Sequence, residues 1–173
     1  MAPIQGALRR VLRHHEPFPA VLLDRHWNVL ATNDTATAMF AFLLAGAEAT
    51  QPPNVLRLIF GPLRPYVTNF ADVGPGLAVH PLDEAVGGAV DAQTGALLAE
   101  VLALPGIPAA WRRPDVTAPL TPMVPVRFAR DAVAVSYFSM VTTVGTPQDV
   151  TAQELRLESF FPVDPATEHH RWR

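Results

Sequence analysis

Residues 132–164 read AVAVSYFSMVTTVGTPQDVTAQELRLESFFPVD, and this stretch decides the fold. Its first part, residues 132–144, consists of β-branched, aromatic and small residues, with no charge on either face. Such a composition is typical of a strand that is covered on both sides, so we predict a central strand here. Gly145 and Pro147 end the strand, because glycine tolerates positive φ and proline removes a donor from the ladder.

The second part, residues 154–161, alternates polar and apolar side chains up to Pro162. This alternation predicts a partner strand with one face exposed to solvent. A helix is the alternative, because residues 151–154 (TAQE) fit a helix capping box. The strand is favoured, since the alternation persists to Phe161 and a proline then closes it.

Composition limits the class of protein. The chain has 173 residues, which is enough for one domain that buries roughly 70% of its unfolded surface. Because 49% of the residues are hydrophobic and only 17% are charged, a disordered chain is excluded and some apolar surface is available for a ligand or partner. A net charge of −3 without any lysine argues against direct binding to phosphate backbones.

The absence of cysteine excludes disulfides, thiolate metal sites and cysteine nucleophiles, which suits a cytoplasmic protein. No signal peptide is visible, and the longest apolar run, residues 36–47, is far shorter than the roughly 20 residues that a membrane span needs. We therefore expect no membrane contact and a cytoplasmic location.

The order of elements predicts an α+β fold. Two short strands at the start and three at the end enclose a run of short helices, so that one antiparallel sheet of about five strands is covered on one face by helices. The predicted helices span residues 4–14, 36–45, 55–60, 63–70 and 91–104. The triplet Asn33-Asp34-Thr35 offers N-cap side chains for the second of them, and Asn54 offers one for the third.

Glycine and proline between residues 74 and 88 predict an irregular, mobile segment. The end of the chain is polar and is expected to fray. These observations divide the chain into an N-terminal helix or linker at 1–16, one domain at 17–165 and a polar tail at 166–173.

Two strands, helices and three further strands is the order of a PAS-type sensor domain. Within that class, four strings resemble the C-terminal ligand-binding domain of MmyB-like transcription regulators, and together they cover nearly the whole chain, from about Leu8 to Thr167. They are FPAVLLDRHWNVLATN (18–33), NVLRLIF (54–60), LRPYVTNF (63–70) and TPQDVTAQELRLESFFPVD (146–164).

The resemblance implies a PAS-like domain that binds a hydrophobic, fatty-acid-like molecule in its interior. It also implies control of a preceding helix-turn-helix domain of the XRE type, which is absent from this chain and through which DNA would be contacted.

Large flexible side chains and isolated polar groups are candidates for the lining of such an interior. For each of them, packing in an ordinary core is the alternative. The candidate ligand-binding residues are Met39, Phe40, Leu43, Leu58, Tyr66, Asn69, Phe70, Phe138, Met140 and Thr142. Ser139 is a further polar candidate, and Arg57, Arg64 and Arg127 are candidates to pair with a carboxylate head group. The polar groups could instead satisfy backbone groups, and the arginines could be solvated.

Motifs of catalysis are missing from the sequence. It contains no Gly-x-Ser-x-Gly elbow, no phosphate-binding glycine loop and no histidines or carboxylates at metal-ligand spacing. We therefore predict no enzyme, no metal and no cofactor other than a bound fatty acid. The alternative function is a dimerisation or protein-interaction module that forms a homodimer, and a small enzyme would require polar residues that converge in a cleft.

Overall fold

A computed structural model describes residues 2–47, 52–83, 92–112, 124–144 and 155–172 of the chain. One five-stranded antiparallel sheet carries the fold, in the order β2-β1-β5-β4-β3, which confirms the α+β prediction. The strands are β1 (Ala20–Asp24), β2 (Val29–Thr32), β3 (Val126–Arg130), β4 (Val133–Val144) and β5 (Leu155–Pro162).

The central strand is β5, although it is the last strand in the sequence. It pairs with β1 on one side and with β4 on the other. The predicted strand at residues 154–161 is thus confirmed over the helix that the capping box would favour. The predicted strand at residues 132–144 is confirmed as β4, an internal strand of the sheet, but the prediction that it is covered on both sides is wrong. β4 lies between β5 and the edge strand β3, and Met140 on its outer face is 54% exposed.

The described helices are α1 (Ala2–His14), α2 (Asp34–Leu43), α3 (Val55–Phe60), α4 (Phe70–Asp83), α5 (Ala92–Leu102) and α6 (Pro165–His169), with 3-10 helices at Arg64–Tyr66 and Ala109–Arg112. The two predicted N-caps are confirmed. Asn33 accepts a hydrogen bond from the backbone N–H of Ala36, and Asn54 accepts one from that of Arg57. None of the helices in the described ranges combines the length and apolar character that crossing a bilayer demands.

Two apolar layers cover the sheet, one on each face. The main core lies between the inner face and the helices α2 to α5. A smaller core lies on the outer face, where Leu8 and Leu12 of α1 pack with Leu22 of β1 and Leu157 of β5. The side chains of residues 156, 158 and 160 point to the inner face of the sheet. Both faces of β5 are therefore covered, and the prediction that one of them is exposed to solvent is wrong.

α4 continues through residues predicted to be irregular. Its helix includes Gly74, Pro75 and Gly76 and ends at Asp83; the rest of the predicted segment, residues 84–88, lies outside the described residues. At Gly74 a Cβ atom would overlap the indole ring of Trp111. This glycine therefore permits close packing of a helix, and it does not break the helix.

The last described residues, 165–172, are folded, which overturns the prediction that they fray. Asp164 caps α6 by accepting from the backbone N–H of Thr167, and Thr167 is 1% exposed. The Thr167 hydroxyl in turn accepts a hydrogen bond from the backbone N–H of Ser136 in β4, at 2.9 Å. Side-chain bonds that a hydropathy pattern does not reveal thus hold these polar residues in place.

Candidate functional site

A cavity of about 40 Å³ lies between the helices and the inner face of the sheet. The strands β1, β3, β4 and β5 and the helices α2, α3 and α4 contribute to its wall. Each strand contributes alternate residues, because successive side chains point to opposite faces of the sheet. The described apolar lining residues are Val21, Met39, Phe40, Val55, Leu58, Ile59, Leu63, Leu77, Val126, Phe128 and Phe160. The polar ones are Ser139 and Glu158.

The volume of the cavity limits what this conformation holds. A space for one water molecule needs roughly 10–15 Å³, and an apolar cavity of about 150 Å³ holds one benzene. A cavity of about 40 Å³ therefore admits small solvent-sized groups but not an aromatic ring or a long aliphatic chain. A larger ligand needs the helices to move apart or the side chains in the wall to rotate.

Glu158 gives the cavity its polar character. It lies in the middle of β5, opposite Val21 of β1 and Val141 of β4, so its side chain projects from the inner face at the centre of the sheet. Its carboxylate oxygen Oε2 is shielded from solvent. Among the described lining residues none is arginine or histidine. An acidic group thus stands in a wall that is otherwise almost wholly apolar.

Ser139 is the other polar group in the wall. It lies opposite Phe160 on the inner face and is exposed, so it marks the end of the cavity that approaches solvent. Its hydroxyl can donate or accept a hydrogen bond.

Three of the predicted ligand-binding residues line the cavity: Met39, Phe40 and Leu58. Leu43 is buried in the same core but is not among the described lining residues, and its carbonyl oxygen accepts a hydrogen bond from Arg130. A role of these residues in ligand binding stays a prediction.

Phe138, Met140 and Thr142 lie on the outer face of β4 and point away from the cavity, so their predicted place in its wall is wrong. The rings of Phe138 and Phe161 stack there at 5.2 Å between centroids, while Met140 and Thr142 are exposed. The cause is the alternation of the strand, which places Ser139 and Val141 on the inner face instead.

Tyr66, Asn69 and Phe70 are not among the described lining residues of the cavity. The amide of Asn69 donates to the carbonyl oxygen of Pro125 at 2.7 Å and accepts from the backbone N–H of Arg127 at 3.0 Å. This arrangement matches the alternative that Asn69 satisfies backbone groups. The guanidinium of Arg130 lies 4.8 Å from the ring centroid of Tyr66, and Phe70 packs on Phe60 and Trp111.

The three arginines predicted to hold a head group are elsewhere. Arg57 forms a surface ion pair with Glu100, with Nη2 2.7 Å from Oε2, and this pair raises the pKa of Arg57 and lowers that of Glu100. Arg64 donates to the carbonyl oxygens of Pro105 and Gly106. The side chain of Arg127 is exposed and belongs to the outer face of β3.

The sequence alone does not reveal Glu158 as a lining residue, because its alternation with Leu157 matches the pattern of a strand with one solvent-exposed face. The amphipathic pattern of α1 was the signal that could have found it. A helix with an apolar side needs an apolar face to cover, and Leu155 and Leu157 supply that face. The opposite face of β5, which carries Glu158, must then point towards the other helices.

The chain matches the family model described as the MmyB-like transcription regulator ligand binding domain, over residues 4–172. The chain belongs to this family. Members of the family are ligand-binding domains of transcription regulators and not a family of enzymes. No curated protein matches the chain. Within the described residues, no group of three or more His, Asp or Glu side chains could hold a metal ion.

Proposed function

We propose that this chain is a noncatalytic sensor domain of a transcription regulator and that it binds a hydrophobic, fatty-acid-like small molecule between its helices and its sheet. The observation that carries the proposal is the apolar cavity in the interior of a ligand-binding domain of the regulator family. Each methylene group moved from water into the cavity contributes roughly 0.8 kcal/mol, from which the costs of association are subtracted.

Binding of a chain-like ligand requires a wider cavity. Phe40, Ile59 and Leu77 line the cavity from α2, α3 and α4 and are only half-buried, so they can turn outward at a smaller cost than the fully buried Val21 and Leu63. The ligand then binds the wider state better and shifts the population towards it.

β5 offers a route from the ligand to the rest of a regulator. Glu158 and Phe160 face the cavity, whereas Leu157, which directly precedes Glu158, packs against Leu8 and Leu12 of α1 on the opposite face. A displacement of β5 by the ligand therefore changes the packing of α1. We propose that this helix transmits the signal to a DNA-binding helix-turn-helix domain, and that the regulator acts in the cytoplasm.

The test is thermal unfolding of the full chain with and without n-decanol, an uncharged aliphatic chain. We expect decanol to raise the Tm of the wild-type protein, since a ligand that binds only the folded state stabilises it. Ile59→Trp should place a large ring over the cavity and reduce the shift in Tm. Met140→Trp adds the same ring on the outer face and should leave the shift intact.

Absence of any shift with decanol or decanoate at saturating concentration contradicts the proposal. Equal loss of the shift in Ile59→Trp and Met140→Trp contradicts the location between helices and sheet.

A homodimer is a second candidate, favoured by the apolar patch on the outer face. Phe138, Met140, Phe161 and Val163 lie next to one another there, and Met140 and Val163 are 54% and 49% exposed. A second copy of the chain could cover this patch through a two-fold interface. Light scattering after size exclusion measures the oligomeric state of the wild-type protein and of Met140→Glu. We expect the wild-type protein to be a dimer and Met140→Glu to be a monomer. A monomeric wild-type protein at micromolar concentration contradicts the homodimer.

A further inference from the structure

We infer that the segment between α1 and β1 detects the distance between two walls of the cavity and passes a change in that distance to α1. This segment, the α1–β1 turn, comprises residues 15–18. Side-chain hydrogen bonds tie it to a helix and to a strand, both of which line the cavity. The inference rests on the proposed function and specifies how ligand binding reaches α1.

Asn33 ties the α1–β1 turn to the N-terminus of α2. Its side-chain amide donates to the carbonyl oxygen of Phe18 in the turn at 2.7 Å and to that of Leu12 in α1 at 3.4 Å. Its side-chain oxygen accepts from the backbone N–H of Ala36 at 2.9 Å and from that of Ala20 at 3.0 Å. Asn33 is 3% exposed, so breaking these bonds leaves buried polar groups unsatisfied.

Glu16 makes a second link between the turn and α2. Its carboxylate accepts hydrogen bonds from the backbone N–H of Thr35, at 3.2 Å, and from the Thr35 hydroxyl. Thr35 lies in the first turn of α2, where a negative charge is favourable because the helix dipole is positive there. The same helix carries Met39 and Phe40 of the cavity wall. The α1–β1 turn is therefore fixed to one wall of the cavity.

His15 ties the same turn to β5. Its ring nitrogen Nε2 lies 2.8 Å from the carbonyl oxygen of Phe160, and the nitrogen donates because a carbonyl oxygen only accepts. The imidazole also packs edge-on against the ring of Phe161, with 4.9 Å between centroids. Phe160 lines the cavity from β5. The α1–β1 turn is therefore fixed to a second wall of the cavity as well.

A ligand that separates α2 from β5 puts these links in conflict. Admission of an aliphatic chain to a cavity of about 40 Å³ requires its wall to move. A hydrogen bond does not survive a displacement of about 1 Å, so a small separation of the two walls breaks a link on one side of the turn. Because α1 ends at His14, directly before the turn, the lost link loosens the end of α1.

The coupling between the cavity and α1 is reciprocal. If ligand binding breaks a link, a variant that lacks this link binds the ligand more tightly, because the wider state no longer costs that bond. A substitution that only destabilised the fold would not tighten binding. The affinity for the ligand therefore separates a role in coupling from a merely structural role.

The experiment measures hydrogen exchange in α1 by mass spectrometry, on the full chain with and without n-decanol. We expect decanol to accelerate exchange in the peptide that ends at His14 by at least about fivefold in the wild-type protein, which is the lower end of typical coupling between two sites. Calorimetry on the same proteins gives the dissociation constant of decanol. Binding and the response of α1 are thus measured separately.

Asn33→Asp removes the two donors to α1 and to the turn and keeps the side-chain oxygen that caps α2. It should reduce the acceleration to less than about twofold and tighten decanol binding. Asn54→Asp is the matched control. Asn54 is 1% exposed and caps α3, which also lines the cavity, but its amide donates to His26 and Asn28 in the segment between β1 and β2. This variant should keep the acceleration in α1.

His15→Phe keeps a ring beside Phe161 and removes the donor to Phe160. It should also reduce the acceleration and tighten decanol binding, because the two walls can then separate without breaking a bond to the turn. His14→Phe makes the same change at the neighbouring exposed position and should keep the acceleration. This second pair of variants tests the inference even if Asn33→Asp does not fold.

Equal acceleration in the wild-type protein, Asn33→Asp and His15→Phe overturns the inference and leaves the proposed function intact, with the packing of Leu157 on α1 as the route. Weaker decanol binding by both variants also overturns it, because the links would then support the bound state. If decanol binds but does not change exchange in α1, the inference fails and ligand binding stands. If the wild-type protein does not bind decanol, the proposed function fails, and the inference fails with it.

Discussion

Trp172 donates a hydrogen bond from its indole Nε1 to the hydroxyl oxygen of Tyr137, at 3.1 Å. Tyr137 is 1% exposed on the inner face of β4, and the indole ring of Trp172 also packs on Phe42 of α2, with 5.6 Å between ring centroids. The segment that follows β5 thus joins the sheet to a helix that lines the cavity.

Trp172→Phe should destabilise the protein, because it removes the hydrogen-bond donor to the buried hydroxyl of Tyr137. The substitution keeps an aromatic ring beside Phe42. We expect a loss of about 1–2 kcal/mol in the free energy of unfolding, measured with urea. Tyr137→Phe provides the control. The loss in the double variant should be smaller than the sum of the losses in the two single variants. A loss equal to that sum would show that the hydrogen bond does not contribute.

Tyr137 should make the protein sensitive to alkaline pH. Burial raises the pKa of this phenol above its ordinary value of 10.0, so the folded state keeps the proton more tightly than the unfolded state does. The contribution of Tyr137 to stability is therefore complete below pH 10 and is lost as the pH rises from 10 towards the raised pKa. Urea unfolding at a series of pH values measures it, and Tyr137→Phe should show a smaller decline; an equal decline in both proteins would contradict the assignment to Tyr137.

Gly74→Ala and Gly76→Ala should have opposite effects, although both residues lie in α4. The new methyl group at residue 74 would overlap the ring of Trp111, and Phe60 and Phe70 restrict the movement of that ring. We expect a loss of about 1–3 kcal/mol, as overpacking of a core gives. At residue 76 nothing lies within 4 Å of the new methyl group, so the gain of about 1 kcal/mol in helix propensity should prevail.

The measurement is the midpoint of urea unfolding for both variants. A stabilising Gly74→Ala would mean that α4 and Trp111 are not in close contact.

Leu58→Ala should lower stability and widen the cavity. Leu58 is 4% exposed and lines the cavity, so its truncation should cost about 2–5 kcal/mol in the free energy of unfolding. The added space should accommodate decanol with less rearrangement, and decanol should therefore recover more stability in Leu58→Ala than in the wild-type protein. Leu30→Ala, at a position that is 50% exposed, should change neither quantity. Equal decanol effects in Leu58→Ala and the wild-type protein would place the ligand away from Leu58.

The sequence predicted the elements whose signals are local. The cap at Asn33, the cap at Asn54 and the alternation that ends at Pro162 depend on neighbouring residues only, and the structure confirms all three. The prediction of an irregular segment from residue 74 onward is wrong for α4. Gly74 lies in close contact with Trp111, which is distant in the sequence, and no local pattern indicates this contact. The folded end of the chain depends in the same way on a bond between Thr167 and Ser136.

The candidate site was predicted in part, because a residue type alone does not tell which face of a strand it occupies. Met39 and Leu58 lie on helices whose apolar positions must face the sheet, and both line the cavity. Met140 and Glu158 lie on strands with apolar residues on both faces, and there the polarity of a side chain did not reveal its direction. The direction follows from the strand order, which places β5 between β1 and β4.

The position of β5 has a consequence for biosynthesis. While the ribosome is still translating residues 145–154, the β1–β2 and β3–β4 hairpins can form, but they share no edge until residues 155–162 emerge and insert between them. The wall that contains Glu158 and Phe160 is thus assembled only after β5 has been translated. A nascent chain that still lacks β5 therefore has only the part of the cavity wall that the helices and the two hairpins provide.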